Sequence, residues 1–518
     1  MQKGINRRDF LKWIGAGTAA ASVPALGCAT GGSTGLHRAA GREAGAHSTY
    51  FDGFGVDGGL IGKVIRKGLT RGGDFCDVFL QHKISHWVGM EDAAINRAYS
   101  NVDLGAGIRV LKGDATGFAY CEDLTEQAML ETAETAASVA DAAAPGIRAA
   151  PLAARKIESR YTVELPWSEV GIDKKLPLIE RANAKARGRD PRIIKVTIFL
   201  ADQTSHILVA NSEGLLVEDE QPMAVMYVTC VAAKDKQIET GYQSVSSRDG
   251  LRFFSPEVLD KLSNEAADYT TKLFDAVSAP VGELPVVLAP GVSGILLHEA
   301  MGHGMEADFN RKGVSIYADR IGKRVAPDEV TICDDGTCDR MRGSINIDDE
   351  GAPAQRTVLV EKGILRSYMH DRISAKHYSV ASTGSGRRQS FRYPPVPRMR
   401  NTYMVSGPHD PAEIIASVDK GLYAEVFSNG QVHIGAGDFT FYLKHGRLIE
   451  KGKLTRVVKD ANLIGSGPKV LEHVEMVGND MLLFSGGGSC GKDGQRVPVG
   501  FGLPTVRVGA ISIGGRAS

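Results

Sequence analysis

The chain has 518 residues, with 61 basic and 61 acidic side chains and 43% hydrophobic content, enough for two or three domains with full cores. A formal net charge of zero excludes a bulk electrostatic attraction to nucleic acid or to an anionic membrane. The 61 glycines exceed the usual ~7% without a collagen-like period, which implies many turns and bulges and hence a β-rich portion.

In chain order, Asn6-Arg7-Arg8-Asp9-Phe10-Leu11-Lys12 resembles a twin-arginine export signal, and a small-residue apolar run from Trp13 to Leu26 follows it. That run is too short for a convincing membrane span. Residues 1–28 are expected to be a twin-arginine signal peptide. At Gly27-Cys28, lipidation and simple signal cleavage stand as equal readings. Residues 29–46 are small and polar and are expected to be a flexible tether. Residues 47–280 are expected to be an amino-terminal α+β domain. It should hold a helix around 60–72, strands at 76–91 and 106–122, and helices over 124–144 and 174–187. Strand-like runs follow at 193–201, 206–210, 215–217 and 223–233. Asp202-Gln203 and Asn211-Ser212-Glu213-Gly214 are expected to be turns between them. A helix from Pro256 to Val277 and a short linker, 278–282, close this half. Residues 281–518 are expected to form a carboxyl-terminal β-rich, barrel- or sandwich-like domain holding one buried helix.

Seven cysteines, an odd count, argue against a fully paired disulfide framework. Cys333 and Cys338 flank a turn, either as a disulfide or as two free neighbours.

The buried helix carries His298-Glu299-Ala300-Met301-Gly302-His303. An adjacent His-Glu pair is what hydrolytic zinc sites use, the imidazole on the metal and the carboxylate beside its water. The spacing differs from the zinc-protease pattern, whose histidines lie four apart. Five residues are about 140° round an ideal helix, so two ligands can share a metal only if the helix widens or breaks. Gly302 and Gly304 could permit either. Two histidines packing beside a buried helix is the alternative.

HEAMGHGMEADFNRKG, with SGGGSCGKDGQRVPVGFGLPTVRV near the carboxyl end, resembles the TldD branch of the TldD/PmbA metallopeptidases. YFDGFGVDGG, GIRVLKGDATGFAY, INIDDEGAP and LIGSGPKVLEHVEMVGND extend the resemblance to nearly everything after residue 50. The other branch of the superfamily, PmbA/TldE, lacks the metal-binding motif. The resemblance implies zinc held by His298, His303 and Cys490, with Glu299 as general base, and makes 281–518 the catalytic zinc domain. Three ligands would leave a fourth position for water. It also implies a two-fold assembly, a homodimer or a heterodimer with a metal-less PmbA/TldE-like relative, into which an unfolded peptide docks as an added strand.

Four further positions carry two readings each. Glu306 and Asp308 accept a hydrogen bond from a ligand imidazole or form a helix-end salt bridge. Lys492 lowers the thiolate pKa or is solvated. Arg387, Arg388 and Arg398 bind a peptide carboxylate or, more in keeping with composition, form a solvated basic face. The other histidines show no second ligand pattern.

The expectation is therefore a zinc-dependent metallopeptidase acting on unfolded or extended peptides, with Glu299 activating a zinc-bound water. It would be exported to the periplasm or the outer face of the membrane, with membrane contact only through a lipid at Cys28. The alternative is a non-catalytic peptide-binding or assembly partner with a structural zinc. The superfamily's association with DNA gyrase is disfavoured by the zero net charge and the export signal, so no nucleic-acid partner is expected.

Overall fold

Even-numbered positions along the strand Phe75–Glu91 (β1) carry Cys76, Val78, Leu80, Val88 and Met90, all buried, so the strand presents an apolar face at each end, with the half-buried His82, Ile84 and His86 between. β1 pairs with Ala94–Lys112 (β2), which pairs in turn with Ala115–Cys121 (β3). On its other side lie Ile193–Asn211 (β4), Leu215–Lys234 (β5) and Gln237–Ser247 (β6). The order β3-β2-β1-β4-β5-β6 is antiparallel between all neighbours. The computed structural model describes residues 48–140, 147–433 and 437–514; the export signal, the tether and Cys28 lie outside the described residues.

Four helices cover the apolar face. Gly58–Leu69 (α1) and Glu126–Ala137 (α2) bury Val64, Ile65, Met129 and Ala133 against one end. Ile172–Arg189 (α3) and Pro256–Lys272 (α4) bury Ile179, Ala182, Leu259 and Leu262 against the other. Three of these helices start where a short polar side chain satisfies an orphan backbone N–H: Asp57 accepts from Leu60, Thr125 from Ala128 and Ser255 from Val258. The odd-numbered face of the sheet has a different partner. Phe79, Ile207 and Val209 pack against Ile347 and Phe391 of the carboxyl-terminal half.

Asp202-Gln203 is not a turn, and β4 runs straight through it. Asp202 is tolerated inside a strand because it is buried between two partners, Lys175 Nζ of α3 at 2.8 Å and His86 Nδ1 of β1 at 2.8 Å. The second expected turn is real, and Gly214 takes a left-handed φ of 93° there.

The carboxyl-terminal half is a closed barrel. Gly282–Leu288 (β7), Lys420–His433 (β8), Asp438–Glu450 (β9), Ala461–Ser466 (β10) and Val506–Gly514 (β11) hydrogen-bond in the ring β8-β7-β11-β10-β9, and β9 returns to β8. Closure removes free edges from these strands. Leu288, Leu422, Phe441 and Leu463 share one core with Leu296, Leu297 and Met301 of the motif helix, which is buried as expected. A second sheet crosses beside it, formed by Ile364–Leu365, Arg356–Glu361, Ile332–Asp335, Asn401–Met404, Gly500–Leu503 and Leu482–Leu483. The architecture is α+β in two parts, a mixed amino-terminal region and a β-rich barrel. Cys333 and Cys338 are both free thiols.

His370 is buried beside this second sheet, and burial lowers its pKa from 6.5 to about 4. The folded protein thus keeps the ring neutral while the unfolded chain takes up a proton from about pH 6.5 downward. The contribution is complete above pH 6.5 and is lost as pH falls toward 4. Urea unfolding should therefore give a stability lower by about 1–2 kcal/mol at pH 5 than at pH 7 from this group. His370→Leu should remove that part of the slope; an identical pH dependence in the variant would refute the assignment.

Candidate metal centre

The histidine motif folds as three short pieces. Gly294–Leu297 is α-helical, His298–Gly302 is one π-helical turn, and His303–Met305 is a 3-10 turn. The N–H of His303 donates to the carbonyl of His298, an i to i+5 bond that takes one more residue into the turn than an α-helix does. The two imidazoles thereby meet, with ring centroids 5.3 Å apart. The helix both widens and ends, since Glu306 is already extended.

Gly302 serves close packing. Its backbone is ordinarily helical at φ −55°, but a Cβ there would lie 2.1 Å from Met399 Sδ. Gly302→Ala should cost about 1–3 kcal/mol by overpacking and should shift the π turn that aims both rings. Urea melts and competition with a chromogenic chelator would read the two effects. Wild-type stability together with wild-type affinity would mean that Met399 simply swings aside.

Cys490 arrives on the hairpin Ser489–Lys492/Gln495–Pro498, closed by Asp493 and Gly494, both at positive φ as a two-residue type I′ turn requires. Strand alternation turns Ser489 and Gly491 outward and Cys490 and Lys492 inward. Cys490 Sγ lies 3.4 Å from His303 Nε2. Lys492 Nζ sits 2.7 Å from Asp308 and 3.1 Å from Glu306, so it is neither solvated nor aimed at the thiolate. Glu306 takes both roles considered for it, accepting from His303 Nδ1 at 3.0 Å and pairing with Lys492. Asp308 forms only the salt bridge. Arg398, which the sequence places on a solvated face, is fully buried and donates to the Cys490 carbonyl at 2.5 Å. Arg387 and Arg388 are buried too, which overturns the solvated-face reading for all three. No periodicity in their Pro-rich stretch marks them as interior.

Charges in the centre balance locally. Burial opposes ionisation of Cys490, but the adjacent His298 and His303 hold its thiol well below the usual range. Burial likewise works against a charged His303, and Glu306 and Cys490 more than offset it. Glu306, despite burial, is held at about 2 by Lys492 and His303.

Donor atoms of His298, His303 and Cys490 all lie within 4.8 Å of one another, the one such group among the described residues. Both ring nitrogens of His298 are buried without a hydrogen-bond partner. Buried polar atoms are rarely left so, and a cation between these donors would satisfy them. Two imidazoles and a thiolate suit a borderline-soft divalent metal. His303 has its other nitrogen on Glu306, the outer partner a ligating imidazole needs.

A β-barrel that brings two histidines of a π-turned helix to a buried hairpin cysteine defines a class of metal-centre protein, and comparison with known proteins identifies it. Residues 76–140, 165–274 and 281–515 match, in turn, domain 1, the central domain and the C-terminal domain of the PmbA/TldA metallopeptidases. Residues 4–24 match the twin-arginine translocation signal. The chain is 40% identical over 454 residues to the metalloprotease TldD homolog of Buchnera aphidicola, covering 86% of this chain and 94% of that one. It is 38% identical over 451 residues to the metalloprotease TldD homolog of Haemophilus influenzae, covering 85% and 93%. In fold it resembles TldE of Thermococcus kodakarensis, with TM-score 0.69, 19% identity, and coverage of 88% of this chain and 100% of that one. The chain belongs to the TldD/PmbA metallopeptidase family and carries a twin-arginine export signal.

The site corrects the expectation of a zinc peptidase in which Glu299 activates a metal-bound water. Glu299 is not among the residues that converge. Its Oε2 lies 3.7 Å from His303 Nε2, the nitrogen that faces Cys490. His298, His303 and Cys490 are 1%, 4% and 1% exposed, so all three donors are buried. A His/His/Cys group without a glutamate in it fits a non-catalytic role better.

Proposed function

We propose that this protein is an exported, non-catalytic peptide-binding or assembly partner whose barrel is clipped by a structural zinc ion on His298, His303 and Cys490. The supporting observation is the buried His298 ring with both nitrogens unpartnered beside a thiolate-prone cysteine. Zinc bound there supplies a cross-link between a helix and a hairpin that are distant in sequence. Export would place the protein in the periplasm or on the outer face of the membrane, and lipidation at Cys28 would add an anchor. Residues 1–28, 29–46, 47–280 and 281–518 are proposed as signal, tether and two domains.

A partner could be a second copy or a metal-less relative of the same family. Support for strand-type docking comes from β2, where β3 pairs only with 106–112. Among the described residues, positions 94–105 have no strand on their outer side, and Ile95, Tyr99 and Val102 are exposed there.

The deciding test is incubation of the zinc-loaded full chain with unfolded casein, with and without chelator, alongside thermal melts. Expected are one zinc per chain, a lower Tm after chelation and no chelator-sensitive cleavage. Chelator-sensitive cleavage that disappears in Glu299→Gln would overturn the non-catalytic reading.

A further inference from the structure

The odd-numbered face of the amino-terminal sheet does not meet the carboxyl-terminal half everywhere. Between them lies a cavity of about 180 Å³, floored by Gln81, Gln203, Ser205 and Gln221 and roofed by Arg248, Arg342, Arg387 and Arg388. Its volume corresponds to about six water molecules, room for a compact ion but not for a folded segment.

The arginines are incompletely used. Arg387 donates to the Met399 and Pro498 carbonyls, and Arg388 to those of Asp349 and Tyr393. Arg342 spends only Nε, on the Gly488 carbonyl, and its Nη1 is buried with no partner. Arg248 is 2% exposed, its guanidinium carbon lies 5.3 Å from the centre of the Tyr161 ring, and its Nε and Nη1 are both buried and unpartnered. Leaving donors of a buried cation unmatched costs more than leaving neutral ones so.

The facing carboxylates supply the missing charge only in part: Arg388 Nη2 lies 3.7 Å from Asp77, and Asp349 lies close enough to act on Arg387 and Arg388. Asp348 is consumed by backbone N–H groups of Glu350, Ala352 and Gly386. Asp349 accepts from the Arg388 N–H. Lys83, also on the wall, is already paired with Asp103 at 3.2 Å. Three buried guanidinium groups and that of the half-buried Arg342 therefore line a polar space whose wall carries fewer anions than cations. Burial lowers the pKa of Arg342 to about 10, with Tyr227 opposing and Arg248 adding to the drop. Arg387 falls to about 10 as well, from burial, with Asp349 opposing and Arg248 adding to the drop. A bound anion would relieve both.

We propose that this cavity is a binding site for a compact oxyanion, a carboxylate or phosphate group, held by the unpartnered N–H donors of Arg248 and Arg342. Guanidinium donors in pairs match the geometry of such oxygens. The site is separate from the His/His/Cys group and stands whether or not a metal binds there. The anion can come from a free small acid or from the carboxyl end of a peptide, since both present the same oxygens.

Titration calorimetry on the full metal-loaded chain in low-chloride buffer tests it, with inorganic phosphate, succinate, and tetra-alanine as free acid and as amide. Wild-type protein should bind at least one probe saturably at one site per chain. Arg248→Met should weaken that binding at least about thirtyfold, because it removes one side of a buried charge pair. In anion-free buffer the same variant should melt no lower than wild type, since an unmatched buried cation is replaced by an apolar chain of similar reach. Arg342→Met provides the same reading if Arg248→Met does not fold. Binding of the free-acid peptide but not the amide assigns the site to a peptide terminus; binding of phosphate or succinate alone assigns it to a free acid. The proposal is overturned if no probe binds saturably, or if both variants bind as wild type while melting lower.

Discussion

Cys490→Ala should purify with less than about one tenth of the wild-type zinc and melt roughly 5–10 °C lower, with a Tm that chelator no longer changes. The size follows from linkage: a metal present at a thousand times its dissociation constant stabilises the folded state by about 4 kcal/mol, and the variant loses that term. The loss should exceed that of an ordinary small core truncation, because the thiolate also partners His303 at 3.4 Å, and both His298 nitrogens are left with nothing. Elemental analysis and differential scanning fluorimetry with and without chelator read the result. A stoichiometric zinc content in Cys490→Ala would exclude this cysteine as a ligand.

Arg109→Leu should cost about 3–5 kcal/mol, the largest effect expected from any single ion pair here. Arg109 is fully buried on β2 and holds Asp77 of β1 through Nε at 2.8 Å. Its Nη1 lies 2.8 Å from Glu350 of the carboxyl-terminal half. The substitution leaves buried Glu350 without its guanidinium and buried Asp77 with only Arg388, at 3.7 Å. Burial already raises the pKa of Glu350 and Arg109 opposes that rise, so without the guanidinium Glu350 should protonate more readily. The variant's deficit should therefore narrow as pH falls toward 5. Adding Glu350→Gln to Arg109→Leu should recover part of the loss. A double variant no more stable than the single one would show that the pair contributes little across the junction.

Much of the fold was legible because its cause is local. The helices α1 to α4 and the strand β1 follow from apolar periodicity and from capping residues such as Asp57 and Ser255. The failure at Asp202 is equally instructive. Two polar residues in a row look like a turn, and only Lys175 and His86, brought from elsewhere in the chain, make them a strand interior. Arg387, Arg388 and Arg398 failed for the same reason, since each is buried with the help of a carbonyl more than ten residues away, of Met399, Asp349 and Cys490 in turn.

The amino-acid sequence by itself determined the α+β organisation, the family, the export signal and the two histidines whose five-residue spacing forces a helix to widen. Those properties reside in composition, periodicity and short motifs, which neighbouring residues express unaided. Tertiary structure alone decided that the widening is a π turn with Gly302 packed close to Met399 and that Cys490 and Lys492 point inward together. It also decided that Glu299 stands outside the donor group and that buried arginines line a polar cavity. Each of these depends on side chains far apart in sequence sharing one buried volume, where every unpaired charge or N–H must find a partner or a ligand.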